Sequence, residues 1–331
     1  MADHELDVVG VGNAIVDVLA QANDDFLTRH GLTKGSMTLI DEARATQLYE
    51  SMGPGLEASG GSAANTMAGV ASFGGTPAYI GRVCNDQLGE IFSHDMRASG
   101  IGFAVPPASG GPATARCLIL VTPDAQRTMN TYLGACVNLG PEDIDEALVR
   151  RGKILYLEGY LWDKPKAKEA FIKAARVASA AGRKVALSLS DSFCVSRHRD
   201  SFRELVAHHV DVLFANESEI KALYETSSFD AAARLVRAET KLAVLTRGAQ
   251  GSLLLSPEEQ VEIAAEPIDR VIDTTGAGDM YAAGVLYGLT HGESLARAGR
   301  RGSLAAAEVI GHYGARPETS LKELLASAAN A

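Results

Sequence analysis

The sequence predicts a doubly wound α/β fold, built on a mostly parallel sheet with a small separate β-sheet lid, and three observations carry that prediction. Five apolar runs of strand length recur, at 6–12, 153–159, 184–190, 210–216 and 242–248. Helix-like stretches such as "KEAFIKAARVASAAG" lie between strand candidates, and strands alternating with helices argue a parallel sheet covered on both faces. Two segments, about 18–59 and 106–134, break the rhythm with short β-like pieces, Gly and Pro, and no strong helix. The length of 331 residues, 46% of them hydrophobic, suits one domain of this kind over 1–331 with the lid inserted in it.

In chain order, the first run, "LDVVGVG", leads into "NAIVD". Gly10 and Gly12 supply the first two glycines of a dinucleotide fingerprint, but Ile15 occupies the third position, and no G-x-x-x-x-G-K-[ST] loop occurs anywhere. Asn13 and Asp17 are expected just past the C-terminal end of the first strand, the edge where open α/β sheets bind ligands. There an amide and a carboxylate can bracket a diol, or serve as turn and cap. Next, "ASGGSAANTMAGVASFGG" at 58–75 places Gly60 and Gly61 before a helix that carries Ser62 and Asn65 in its first turn and ends at Gly74 and Gly75. Small residues at such a start let a ligand approach the backbone, though Gly and Ser are also ordinary capping residues. The segment 106–134 reads as a hairpin, "TARCLILVT" turning at Pro123 and Asp124 into "RTMNTYL". With 18–59 it would form the lid beside the mouth of the parallel core. The acidic "SPEEQVEIAAE" near 256–266 is a solvated hairpin or loop.

Charge narrows the function. The net charge is −10, and Lys and Arg are scattered rather than massed in a stripe, so a nucleic-acid binder is excluded and a small substrate expected. No apolar run approaches the ~20 residues needed to cross a bilayer. Cys84, Cys117, Cys136 and Cys194 form no C-x-x-C pair, and "MADHELDVVGVG" has no basic stretch ahead of an apolar core, which leads us to expect a reduced, cytoplasmic protein without membrane attachment. His208 and His209 point in different directions from one helix and lack a third metal ligand.

The chemistry is concentrated in "VIDTTGAGDMYAAGVLYGLTHG" at 271–292. Gly276, Ala277 and Gly278 form a tight turn opening an apolar helix, and the free N–H groups of such a start attract a phosphoryl group. Asp279 ends the turn, beside the anion and facing an attacking hydroxyl, where it can take the proton. The helix terminus, worth about half a positive charge, is expected to keep that carboxylate ionised at neutral pH, with a metal neutralising the remaining charge.

The D-T-x-G-A-G-D pattern, met in full by Asp273 to Asp279, together with Gly60, Gly61 and Asn65, resembles the two signatures of the ribokinase-like (PfkB) carbohydrate kinase family, in order over nearly the whole chain. The resemblance implies an ATP-dependent kinase with Asp279 as catalytic base and the G-A-G turn as anion hole. It further implies that Asn216 and Glu219, in the family's N-x-x-E arrangement, order Mg²⁺ and phosphate through water, although the same spacing is a helix-capping box. Thr246, Gly248 and Gly251 in "LTRGAQGS" match the strand and turn that contact ATP. A monovalent cation held by backbone carbonyls is a further family feature that leaves no side-chain signature.

Within the family, the four-residue spacing of Asn13 and Asp17 is similar to that of adenosine kinases, as are "LSLSDSF" at 187–193, "AAAEVIGHYGARPE" and "DAQRTMNTYLGA", the last placing Arg127 to reach the transferring phosphate. The resemblance therefore implies transfer to the 5′-hydroxyl of adenosine or a related nucleoside, with a ribokinase- or fructokinase-type sugar kinase as the alternative. A non-catalytic binding protein would have no need of Asp279. Tyr132, Tyr160 and Trp162 are candidates to stack a purine or to pack core and lid. His312 and Arg316 are open to a nucleotide contact or a packing role, and the oligomer is either a monomer or a lid-mediated homodimer.

Overall fold

A computed structural model of the chain describes residues 5–124 and 126–328. In chain order its strands are β1 (Leu6–Val11), β2 (Ile15–Gln21), β3 (Met37–Leu39), β4 (Gly55–Gly60), β5 (Pro77–Ile80), β6 (Gly102–Phe103), β7 (Ala115–Val121), β8 (Arg127–Tyr132), β9 (Gly152–Glu158), β10 (Lys184–Ser188), β11 (Val212–Asn216), β12 (Leu242–Thr246), β13 (Ser252–Leu255) and β14 (Gln260–Ile263). The helices are α1 (Asp24–Arg29), α2 (Glu42–Ser51), α3 (Ser62–Ser72), α4 (Gln87–Ala98), α5 (Glu146–Arg151), α6 (Pro165–Ala180), α7 (Ser192–Arg197), α8 (Arg199–His209), α9 (Glu217–Leu223), α10 (Phe229–Glu239), α11 (Ala277–Thr290), α12 (Leu295–Val309) and α13 (Leu321–Ala328).

Nine strands form the main sheet in the order β14-β13-β12-β11-β10-β9-β1-β5-β6. From β12 to β6 every pairing is parallel, and the β13–β14 hairpin closes one edge antiparallel. The five apolar runs are β1, β9, β10, β11 and β12, side by side in the centre. They read as continuous apolar runs because both faces are covered. Val9, Leu155, Leu187, Leu213 and Leu245 point into a core shared with α6, α8, α9 and α10, whereas Val8, Tyr156, Ala186, Phe214 and Val244 point into a second core shared with α3, α4 and α11. The sheet is thus doubly wound and mostly parallel.

Strand order reverses direction at β1, which lies between β5 and β9. Sheets of this kind carry ligands outside the strand ends at that point. The register pairs Val11 with Leu157, so the residues that follow β1 emerge beside the end of β9.

A second sheet of five strands, β3-β8-β7-β2-β4, collects the two segments that break the α/β rhythm. The hairpin of β7 and β8 has the expected antiparallel register, from Arg116–Tyr132 to Val121–Arg127. Residues 18–59 depart from expectation, because they contain α1 and α2. The cause is local: Asn23 and Asp41 accept from the backbone N–H groups of Phe26 and Arg44, and these caps start helices that have little apolar periodicity of their own.

Candidate active site

The site grows from the ends of β1 and β9. Asn13 is buried, and both its backbone N–H and its Nδ2 donate to Glu158, Nδ2 to Oε1 at 2.6 Å. Glu158, 1% exposed, also accepts from the N–H of Ala63 in the first turn of α3 at 2.8 Å. This carboxylate aligns Asn13 and the start of α3 at once, and Gly12 has no Cβ because one would strike it. The glycines of "VGVG" therefore serve close packing, Gly10 against Met67 and Gly12 against Glu158. With Nδ2 committed, Asn13 leaves Oδ1 as a buried acceptor with no protein partner. Burial pushes Glu158 up to about 7, against the bonds from Ala63 and Asn13.

Asp17 lies elsewhere than expected. It belongs to β2, in the lid sheet, paired in register with Ala58 and Cys117. The end of β4 still brings it to the site, since a Cβ on Gly60 would collide with its carboxylate. Burial lifts Asp17 to about 6, opposed by the charges of Arg316 and Arg127. Gly61 has φ 98°, and a Cβ there would strike the Asn13 carbonyl, so the turn from β4 into α3 requires glycine.

On the opposite side, Gly276 caps α11 with φ 79°, and a Cβ on it would lie 2.7 Å from Ala315 Cα. Asp273 fastens this turn: Oδ1 accepts from the N–H and hydroxyl of Thr275, and Oδ2 accepts from the N–H of Gly314. Gly278 faces open space. Asp279 sits in the first turn of α11 and accepts the Ser62 hydroxyl proton on Oδ1 at 2.6 Å, joining α11 to α3 across 217 residues of chain. Burial pushes its carboxyl up to about 7, while the Ser62 and Asn65 side chains favour the charged form. Burial thus works against the full ionisation expected at neutral pH.

From the lid, Arg127 of β8 reaches across to Asp273, Nη1 to Oδ2 at 2.7 Å, with both side chains 8% exposed. Its plane lies over the Tyr313 ring. Nε and Nη2 of Arg127 are buried and have no partner. These two donor nitrogens and Asn13 Oδ1 are open hydrogen-bonding positions, and buried polar groups are ordinarily satisfied.

Asn216 and Thr246 are register partners at the ends of β11 and β12. Asn216 and Glu219 form a reciprocal capping box at the start of α9: Asn216 Oδ1 accepts from the Glu219 N–H, while Glu219 accepts from the Asn216 N–H and Nδ2. Burial pushes Glu219 up to about 7, with a smaller contribution from the charges of Asp191 and Asp279. No cluster of three or more His, Cys, Asp or Glu is placed to hold a metal among the described residues. Gly248 and Gly251, with φ 56° and 82°, shape the turn between β12 and β13.

Of the aromatic candidates, Trp162 is buried among Phe171 and Phe202 and donates to Ser201, and the Tyr132 hydroxyl donates to Glu42. Both are packing residues. Tyr160, 44% exposed, lies two residues after Glu158, and its hydroxyl is within electrostatic reach of Asp191, Asp279, Glu158 and Glu219, which puts that end of the side chain near the site. Sequence reasoning missed Glu158, and it left open Arg316, which is buried in the site.

A doubly wound body, a carboxylate in the first turn of a glycine-opened helix and a lid arginine paired with Asp273 just ahead of that helix define a phosphotransferase with an alcohol group as acceptor. The chain belongs to the pfkB family of carbohydrate kinases, which it matches over residues 55–321. Its structure resembles that of adenosine kinase from Sinorhizobium meliloti, 53% identical, with a TM-score of 0.90 and coverage of 98% of this chain and 99% of that one. It is equally close to a probable sugar kinase from Rhizobium etli, 50% identical, TM-score 0.91, again over 98% and 99%. A 5-dehydro-2-deoxygluconokinase of Shouchella clausii is 30% identical over 277 residues, 81% of this chain and 85% of that protein. Kinases of this family use ATP as phosphoryl donor.

Proposed function

We propose that the protein transfers the γ-phosphoryl group of ATP to the 5′-hydroxyl of adenosine or a related nucleoside. Asp279 takes the hydroxyl proton as the acceptor oxygen bonds to phosphorus and the bond to the β,γ-bridging oxygen breaks, releasing ADP. The N–H groups of Gly276, Ala277 and Gly278 hold the oxygens of the moving group, and Arg127 adds its two open N–H donors. Asn13, Asp17, Gly60, Gly61, Ser62 and Asn65 hold the acceptor; Asn216, Thr246, Gly248 and Gly251 line the ATP side.

The observation that carries this reading is three of the five buried, unpartnered side-chain atoms among the described residues: Arg127 Nε and Nη2 as donors, and Asn13 Oδ1 as acceptor, the other two being Arg116 Nε and Asn130 Nδ2. An anion and an alcohol satisfy them together. Mg²⁺ fits the same cleft as part of the ATP complex: Glu219 and Asp279 are buried carboxylates within electrostatic reach of each other, and Mg²⁺ usually keeps several waters and takes one or two carboxylates besides phosphates. When bound it neutralises phosphate charge; Glu219, both of whose oxygens already accept from Asn216, would act on it through water. We place the enzyme in the cytoplasm as one domain closed by its lid, and as a monomer or a lid-paired homodimer. Among the described residues no helix is long and apolar enough to cross a membrane.

The half-exposed Tyr160 near the site supports a nucleoside, since a flat aromatic side chain there suits a base better than a free sugar. The 5-dehydro-2-deoxygluconokinase relative supports the rival, a sugar kinase. ADP release measured across nucleosides, ribose, fructose and acidic deoxy-sugars decides between them. Turnover with a nucleoside above all sugars is expected, and turnover with sugars alone would establish the rival.

A further inference from the structure

Arg316 lies 251 residues from Asn65 in sequence, yet its guanidinium spans both sides of the Gly60–Gly61 turn. Nε donates to Asn65 Oδ1 at 3.1 Å, on α3, and Nη1 donates to Ser59 Oγ at 2.7 Å, at the end of β4. Nη2 rests against Met96 Sδ. Guanidinium is only a donor, so the Asn65 atom facing it must be the carbonyl oxygen, and the amide NH₂ is left for Asp279. The Asn65 side chain accordingly favours the charged form of Asp279.

We propose that Arg316 is a positioning residue for phosphoryl transfer: its fork locks the Asn65 amide with the NH₂ turned toward Asp279 and fixes the junction between lid strand and helix on which that amide stands. The inference rests on Asp279 being the base. Without the fork the Asn65 amide is free to rotate, and its carbonyl then faces a carboxylate for part of the time. A lysine restores the positive charge beside Asp17 but lacks the planar pair of donors that reaches Asn65 and Ser59 together.

The other groups in electrostatic reach of Asp279 do not supply this orientation. Glu158 and Glu219 are carboxylates, and Tyr79, Tyr156 and Tyr160 are phenols that burial keeps neutral. Ser62 does donate to Asp279, and it bonds one oxygen, Oδ1.

The test is a double-mutant cycle on ADP release with the preferred acceptor, using Arg316→Lys, Arg316→Met, Asn65→Ala and the two pairs, each checked by thermal melting. We expect Arg316→Lys to lower kcat roughly 10- to 100-fold, the scale of a small misplacement at a reacting centre, while KM changes little. In the Asn65→Ala background either Arg316 change should cost almost nothing further, and the acid limb of the wild-type kcat/KM profile should lie below that of Arg316→Lys. Additive losses in the cycle, or full recovery of kcat by lysine, would overturn the proposal. If Arg316→Met does not fold, the lysine and Asn65→Ala arms still decide. Asp279→Asn, assayed alongside, separates the two levels: a retained rate there removes the base itself, whereas a lost rate with an additive cycle removes only the role of Arg316.

Discussion

Asp279→Asn is the sharpest perturbation of the proposed chemistry, because the two side chains have the same shape and opposite consequences for rate and stability. The amide oxygen can still accept from Ser62, which now bonds Oδ1 at 2.6 Å, so packing between α3 and α11 is retained. Loss of a positioned base is expected to cost roughly 10²–10⁴ in kcat, which corresponds to about 2.7–5.4 kcal/mol of barrier. KM for the acceptor should stay within severalfold. Stability moves the other way. Burial raises the carboxyl from 3.8 to about 7, so the group favours the native state below the lower value and that support is lost as pH rises to the upper one. The amide does not titrate. The melting temperature of the variant relative to wild type should therefore climb from pH 4 to 7 and level off above, reflecting a penalty on the order of a few kcal/mol. ADP release at saturating ATP and Mg²⁺, with melting curves across that range, measures both. An unchanged rate would refute the assignment of Asp279, and a rate lost together with stability would show only a damaged fold.

Two further outcomes are expected. Arg127→Met removes the lid's ion pair to Asp273, buried on both sides, together with the two open donors; kcat should fall about 10²-fold or more, and a variant with wild-type kcat would take Arg127 out of the transfer step. The acid limb of kcat/KM should fall near pH 7 as Asp279 loses its proton, the activity rising with pH, and a flat profile from pH 5 to 8 would contradict the burial of that carboxyl.

The body of the fold was legible because burial on both faces forces the central strands to be apolar throughout, and β1 and β9 to β12 show it without interruption. Strands β5 and β6 escaped notice because four and two residues carry no period. Helix α2 was missed because only Ala45 and Leu48 are buried, too few to mark a stripe, although Asp41 signals its start. At the site, the glycine turns with Asp279, Ser62 and Asn65 were legible, since close backbone approach leaves a local mark in the sequence. Glu158 was not: a glutamate ending an apolar strand looks like a solvated terminus, and its partner Asn13 is 145 residues away. Asp17 was assigned to the wrong element because β1 and β2 are separated by a mere handful of residues, and proximity in sequence hid the passage from one sheet to the other.

The missing side chain at residue 12 makes that position a dependant of its neighbours. A Cβ there would overlap the Glu158 carboxylate, and would sit 2.7 Å from Ala63 Cβ and 2.8 Å from the Tyr79 hydroxyl. Residue 12 can therefore gain a side chain only if residue 158 changes with it. A chain of this fold that had shortened the acid could accept alanine at 12 once positions 63 and 79 also gave way, whereas one that keeps the acid must keep the glycine.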